Sequence, residues 1–310
     1  MTGARKDVVG LRAMVRAGGR AVSEYTGMVL GLFVIQAMVA FGSGLVVTGL
    51  LTSRFAERPI FDDAVDGDAV SLLEVLRSSG MLVSATVWIL IGTALLWVML
   101  SWFLTGGILA VLTERPRDRR ETARCFGAGG AATFFVFVRL GLLSLVVHGF
   151  VVGGLATVGL GVIATRFEHT LRLGPLVLDL LAALTPALLA AVAVGTVFDY
   201  ARAELALRRP THDHLGAFRA MIRAVGFMVR RPAALAHVML GWTSFLAVSL
   251  VYVWASHGHP MLGATGAVAL FVIRQGLSLA RMAIKVGVIG GQVELGQTRP
   301  PPPRKVVDGE

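Results

Sequence analysis

Four polar residues interrupt the last long apolar run of the chain: Arg274, Ser278, Arg281 and Lys285. Their spacings of four, three and four put them on one face of a helix. Two guanidinium groups, an ammonium and a hydroxyl in one line have the donors to hold a phosphate or an anionic lipid headgroup at the inner leaflet. Arg274 lies thirteen residues into a run near 261 to 285, ~20 Å deep at ~1.5 Å per residue. A lone Arg at that depth costs about 2.5 to 3.5 kcal/mol on insertion scales. It needs an anionic partner or a wet crevice. Two readings stay open: a headgroup site, or pairing with Asp199, Glu204 or Glu294 at the helix ends with the long stems snorkelling.

No other group of residues makes a stronger case for chemistry. "FGSG" around Ser43 looks like the serine loop of rhomboid proteases, but it lies in the first apolar run and no His follows in the last. "DYAR" at Asp199 to Arg202 looks like part of a CDP-alcohol phosphotransferase motif, without the further paired aspartates. His212 with His214, and His257 with His259, lack a third metal ligand nearby. The acidic stretch from Asp62 fails the EF-hand pattern, with Ala64 at position three and Leu73 at position twelve. The chain is therefore expected to be no enzyme, to hold no metal and to use no cofactor.

These residues must be positioned by membrane helices. Of 310 residues, 55% are hydrophobic and 15% charged, too apolar for a soluble globule and too unbroken for a lipid-facing barrel. The class is all-α, a polytopic membrane protein. Crossing a ~30 Å hydrocarbon core takes about 20 apolar residues, and six runs qualify, near 27–51, 81–105, 140–164, 174–198, 233–255 and 261–285. Residues 1–295 form one membrane domain in this reading, and 296–310, with four consecutive prolines, a disordered tail. The first 27 residues carry no h-region of a cleavable signal, so insertion uses the uncleaved first span.

The formal charge of +10 sits in short segments between apolar runs, which argues for membrane topology and against nucleic acid as a partner. Lys and Arg number 20 on one side of the six runs and 5 on the other. The basic side is cytoplasmic by the positive-inside rule. Both termini then face the cytoplasm, and the expected location is the bacterial inner membrane.

The octapeptides "RAMVRAGG" (12–19) and "RAMIRAVG" (219–226) suggest an internal repeat. Aligning Leu11, Phe126 and Phe218 places Glu24, Arg139 and Arg231 thirteen residues on, each just before a long apolar run. Arg12 with Arg16, and Arg219 with Arg223, share a helix face at spacing four. Each odd-numbered span is therefore expected to follow a cytoplasmic amphipathic helix in the headgroup layer, giving three hairpins. Arg12, Arg16, Arg139, Arg219, Arg223 and Arg231 are the expected interfacial anchors. Two GxxxG pairs, Gly149 with Gly153 and Gly287 with Gly291, are expected to let helices approach closely.

The stretches "GGILAVL", "RCFGAGGAATFFVFVRLGLL", "FDYARAELAL" and "AFRAMIRAVGFMVRRPAAL" together resemble uncharacterised bacterial six-helix integral membrane proteins. They are also similar to the membrane domain attached to some glycerophosphodiester phosphodiesterases. The resemblance covers most of residues 10–290 and implies the six-helix fold. The phosphodiesterase domain itself is not in this sequence, so that activity is not implied. The leading expectation is a lipid-interacting membrane factor or scaffold whose partner is the bilayer, anionic lipid included. Its rival is a transporter or permease subunit working with a separate ATPase, since no Walker A pattern occurs. Protein partners and homo-oligomers stay open.

Overall fold

The computed structural model describes residues 10–55, 80–167, 173–208, 216–256 and 263–297. The histidine pairs, most of the acidic stretch and the proline-rich tail lie outside them. The described residues form helices α1 (Leu11–Glu24), α2 (Thr26–Phe55), α3 (Gly80–Glu114), α4 (Arg119–His148), a π turn (Gly149–Gly153), α5 (Gly154–Phe167), α6 (Leu173–Arg208), α7 (Gly216–Arg230), α8 (Pro232–Ser256) and α9 (Gly263–Gln297). No strand occurs among them. A helix satisfies its own backbone groups, which hydrocarbon cannot do for it. Hydroxyls follow the same rule: Ser43, Thr113, Thr185, Thr196 and Ser249 each donate to the carbonyl four residues back, at 2.6 to 2.7 Å. Ser43, the serine of "FGSG", is spent in this way.

Five of these helical stretches are long and apolar enough to cross a membrane: Thr26–Leu50, Ser84–Glu114, Arg119–Ala164, Leu178–Leu207 and Pro232–Val251. The chain is thus an all-helical protein with the character of a multi-pass membrane protein. The sixth expected span, in α9, is not among the five; Arg274, Gln275, Ser278, Arg281 and Lys285 punctuate it. The third begins at Arg119 rather than near 140, because helix continues from the basic lead-in through Arg139 without a break.

That continuity corrects one expectation. The lead-in before the third run is no separate interfacial helix but the first half of α4. α1 and α7 are separate. Tyr25 leaves helical geometry after α1, and Pro232, which lacks an amide proton, follows the break at Arg231 after α7. No proline occurs in residues 119–148.

The described chain divides into two compact units, residues 30–101 and residues 1–29 with 102–310. The first holds most of α2 and the N-terminal part of α3. In the second, one apolar cluster draws on α1 (Met14), α4 (Leu140), α6 (Val197, Phe198, Tyr200, Ala201), α7 (Ala220, Ala224, Phe227), α8 (Ala234, Val238) and α9 (Leu295). Met14 is wholly buried, so the first helix of the chain closes against the last.

Close backbone approach makes that closure. A Cβ on Gly18 would meet the Gly287 carbonyl oxygen, and one on Gly290 would fall 2.8 Å from the Ala21 Cβ and 3.3 Å from the Gly18 Cα. The α3–α4 contact uses the same arrangement: Gly106 faces Gly129, Gly130 and Thr133, and Gly107 faces Phe126. By contrast nothing lies within 4 Å of a Cβ at Gly149 or Gly153. Of the two GxxxG pairs, only Gly287 with Gly291 sits at a tight contact. Gly18→Ala should lower the thermal unfolding midpoint in detergent, by about 1 to 3 kcal/mol of overpacking. Gly153→Ala should leave it unchanged or raise it slightly; equal effects from the two would contradict this packing.

Candidate functional site

The polar line of α9 does not act as one row. Arg274 is exposed, with Phe271, Val272 and Ile273 exposed beside it. It has no hydrogen-bond or ion-pair partner among the described residues. Ser278 is half-buried. Arg281 turns to α8, where its Nη2 donates to Ser249 Oγ at 2.7 Å and its guanidinium lies 4.6 Å from the Phe245 ring centroid. Such a stacked cation gains from the ring quadrupole what it has lost in hydration. Lys285, half-buried, lies in electrostatic range of Asp199 and Arg202 on α6.

The three acids weighed as partners for Arg274 are engaged elsewhere. Asp199 Oδ1 accepts from Arg202 Nη1 at 2.8 Å, one helical turn along α6. Glu204, with only 4% of its side chain exposed, pairs with Arg223 Nε at 2.6 Å. Glu294 lies 3.4 Å from Arg115 Nη2. Asp199 also lies within range of His148, whose ring contacts Phe198 and whose Nδ1 lies 2.8 Å from the Ser144 carbonyl oxygen. His148 ends α4 directly before the π turn. An ionisable cluster on α4, α6 and α9 therefore surrounds Asp199.

The expected anchors divide. Arg12, Arg16 and Arg219 lie on exposed faces of α1 and α7. Arg139 is exposed on α4, with Phe135 and Leu142 also exposed nearby. Arg223 holds Glu204, and Arg231 stacks 5.1 Å from the centroid of Phe227. Phe227 in turn packs on Tyr200 of α6. Arg223 therefore ties α7 to α6 directly, and Arg231 covers the Phe227 ring that packs there.

A small open pocket lies where α1, the end of α3 and the end of α9 meet, lined in part by Arg20, Glu24, Tyr25, Arg115 and Glu294. Burial, then the neighbouring Glu24 carboxylate, pushes the Tyr25 hydroxyl up from its ordinary value. Arg115 adopts a left-handed φ of 53°, a conformation that costs a non-glycine residue about 1 kcal/mol or more. The turn it makes lets the chain reverse from α3 into α4. Sequence spacing offers no sign of this, because Arg115 is 179 residues from Glu294. The contact of buried His237 is hidden from the sequence for the same reason: its Nε2 meets the Val288 carbonyl oxygen at 3.2 Å, across α8 and α9.

No group of three or more potential metal ligands occurs among the described residues. No family model, curated protein or solved structure matches the chain.

The Arg223–Glu204 pair is open to a direct check. Arg223→Met leaves a buried carboxylate without its cation and should destabilise the protein by roughly 1 to 3 kcal/mol, discounted from fully buried pairs because Arg223 is partly exposed. Adding Glu204→Gln should recover most of the loss in a double-mutant cycle read by thermal unfolding. Additive losses would remove the pair from the description.

Proposed function

We propose that the chain is a six-span protein of the bacterial inner membrane, with both termini cytoplasmic, that acts as a lipid-interacting membrane factor and not as an enzyme. The observation that carries this reading is Arg274. An exposed guanidinium amid exposed Phe271, Val272 and Ile273, without a protein partner among the described residues, is best satisfied by lipid phosphate or by water drawn in with it. α9 is the sixth span in this reading, its charges accommodated by Arg281 on Phe245 and Lys285 near Asp199.

The three-unit plan is part of the proposal, in a corrected register. The glycine contacts pair Met14 with Phe126, Ala17 with Gly129, Gly18 with Gly130 and Ala21 with Thr133. Phe126 thus answers to Met14, three residues from the Leu11 match. In α7, Ala220 and Phe227 are buried where the octapeptide match sets exposed Ala13 and Arg20, and exposed Val225 stands opposite buried Gly18. A shift of one residue, which sets Ala220, Ala224 and Phe227 on Met14, Gly18 and Ala21, brings buried residues onto buried ones. Each lead-in packs on an outgoing helix: α4 on α3, α7 on α6 and α1 on α9. With their basic outer faces, α1 and α7 serve as interfacial helices, and Arg139, now opposite Gly27 at the start of the first span, stays an interfacial anchor.

Arg274→Ala tests the lipid contact. Phosphatidylglycerol added to the purified protein in neutral detergent should raise its unfolding temperature, and the variant should lose a clear share of that rise while keeping its response to phosphatidylcholine. An identical phosphatidylglycerol response in both proteins would count against the proposal.

A further inference from the structure

The cluster around Asp199 carries more positive charge than its acid can balance. Arg202 is paired with the Asp199 carboxylate, and Lys285 lies in electrostatic range of that one carboxylate. The Nε of Arg202 is buried and has no hydrogen-bond partner among the described residues. Two other titratable groups lie in range of Asp199: His148, already engaged with Ser144, and Tyr200, and neither is a carboxylic acid. Among the described residues the neighbouring elements supply no second acid: Glu204 is held by Arg223, and Arg281, one turn along α9 from Lys285, adds a further cation. A net positive charge half-buried among apolar helices is costly unless an anion joins it.

We infer that the Asp199–Arg202–Lys285 cluster, where α6 meets α9, binds one phosphate group, carried by an anionic lipid or present as free phosphate. The unused Arg202 Nε–H and the Lys285 ammonium are its donors, and Arg with Lys is a combination suited to phosphate oxygens. Asp199 holds Arg202 in place and keeps the site at one net charge. This site is separate from Arg274, which is exposed on the apolar face of α9, and it stands or falls independently of the lipid contact proposed there.

Charge arithmetic gives the test a readout that a merely structural ion pair would not produce. The full chain, purified in neutral detergent, is titrated with inorganic phosphate and, separately, with short-chain phosphatidylglycerol or phosphatidylcholine, and apparent affinity is taken from the thermal shift. Lys285→Met removes the net charge and should weaken phosphate-group binding on the order of tenfold. Asp199→Asn adds one and should strengthen binding by a similar factor. The double variant restores the count and should return to within about threefold of the parent. A response to phosphatidylglycerol alone identifies a lipid headgroup, and a response to inorganic phosphate as well identifies a site open to water. Absence of both responses in the parent overturns the inference, as does Lys285→Met binding like the parent. If Lys285→Met does not fold, Asp199→Asn and the double variant decide: equal affinity in the parent and Asp199→Asn overturns it. The same series in an Arg274→Ala background should give the same ratios, which separates failure of this site from failure of the Arg274 contact.

Discussion

Everything in the larger unit depends on how closely helix backbones approach where the first helix meets the last. Between apolar helices in lipid there is no hydrophobic gain in association, so packing at short range has to supply the attraction. Gly18 on Gly287 and Gly290 on Ala21 provide it for α1 and α9, and Gly106 and Gly107 provide it for α3 and α4. Once α1 is held there, Met14 fills the centre of a cluster drawn from α4, α6, α7, α8 and α9. The polar side chains of α9 are then set apart: Arg281 is on Phe245 and Ser249, Lys285 is half-buried in electrostatic range of Asp199, and Arg274 is exposed.

The contact between α6 and α7 solves the same problem by other means. Where the other two contacts use glycine, this one uses Phe227 on Tyr200 and Arg223 on the buried Glu204. A carboxylate this enclosed is held by a charge partner or not at all. An octapeptide that reads as a membrane anchor therefore spends one of its arginines on internal packing.

Apolar run length made the helical membrane class legible in the sequence, whereas GxxxG spacing marks a tight approach at Gly287 and Gly291 and none at Gly149 and Gly153. Register was not legible. "RAMVRAGG" and "RAMIRAVG" share six of eight letters, yet their buried faces differ by one residue, about 100° around the helix, because arginine tolerates either a solvated position or an internal ion pair while the apolar letters stay nearly the same. The Asp199–Arg202 pair is legible from its spacing of three residues on one helix. The partners of Glu204 and Glu294 are not, because Arg223 and Arg115 are brought near them only by the folded chain. Arg274 was singled out from depth alone, and its exposure on an apolar face is what gives the lipid reading its weight.

A bilayer partner for this protein can be sought directly by native mass spectrometry of the chain released from its membrane in mild neutral detergent. Bound phosphatidylglycerol or cardiolipin, retained in defined numbers while zwitterionic lipid is stripped, is the result expected of a lipid-interacting factor. A protein that emerges free of anionic lipid, or with an ATPase subunit as its stable companion, would contradict that role and favour a permease subunit.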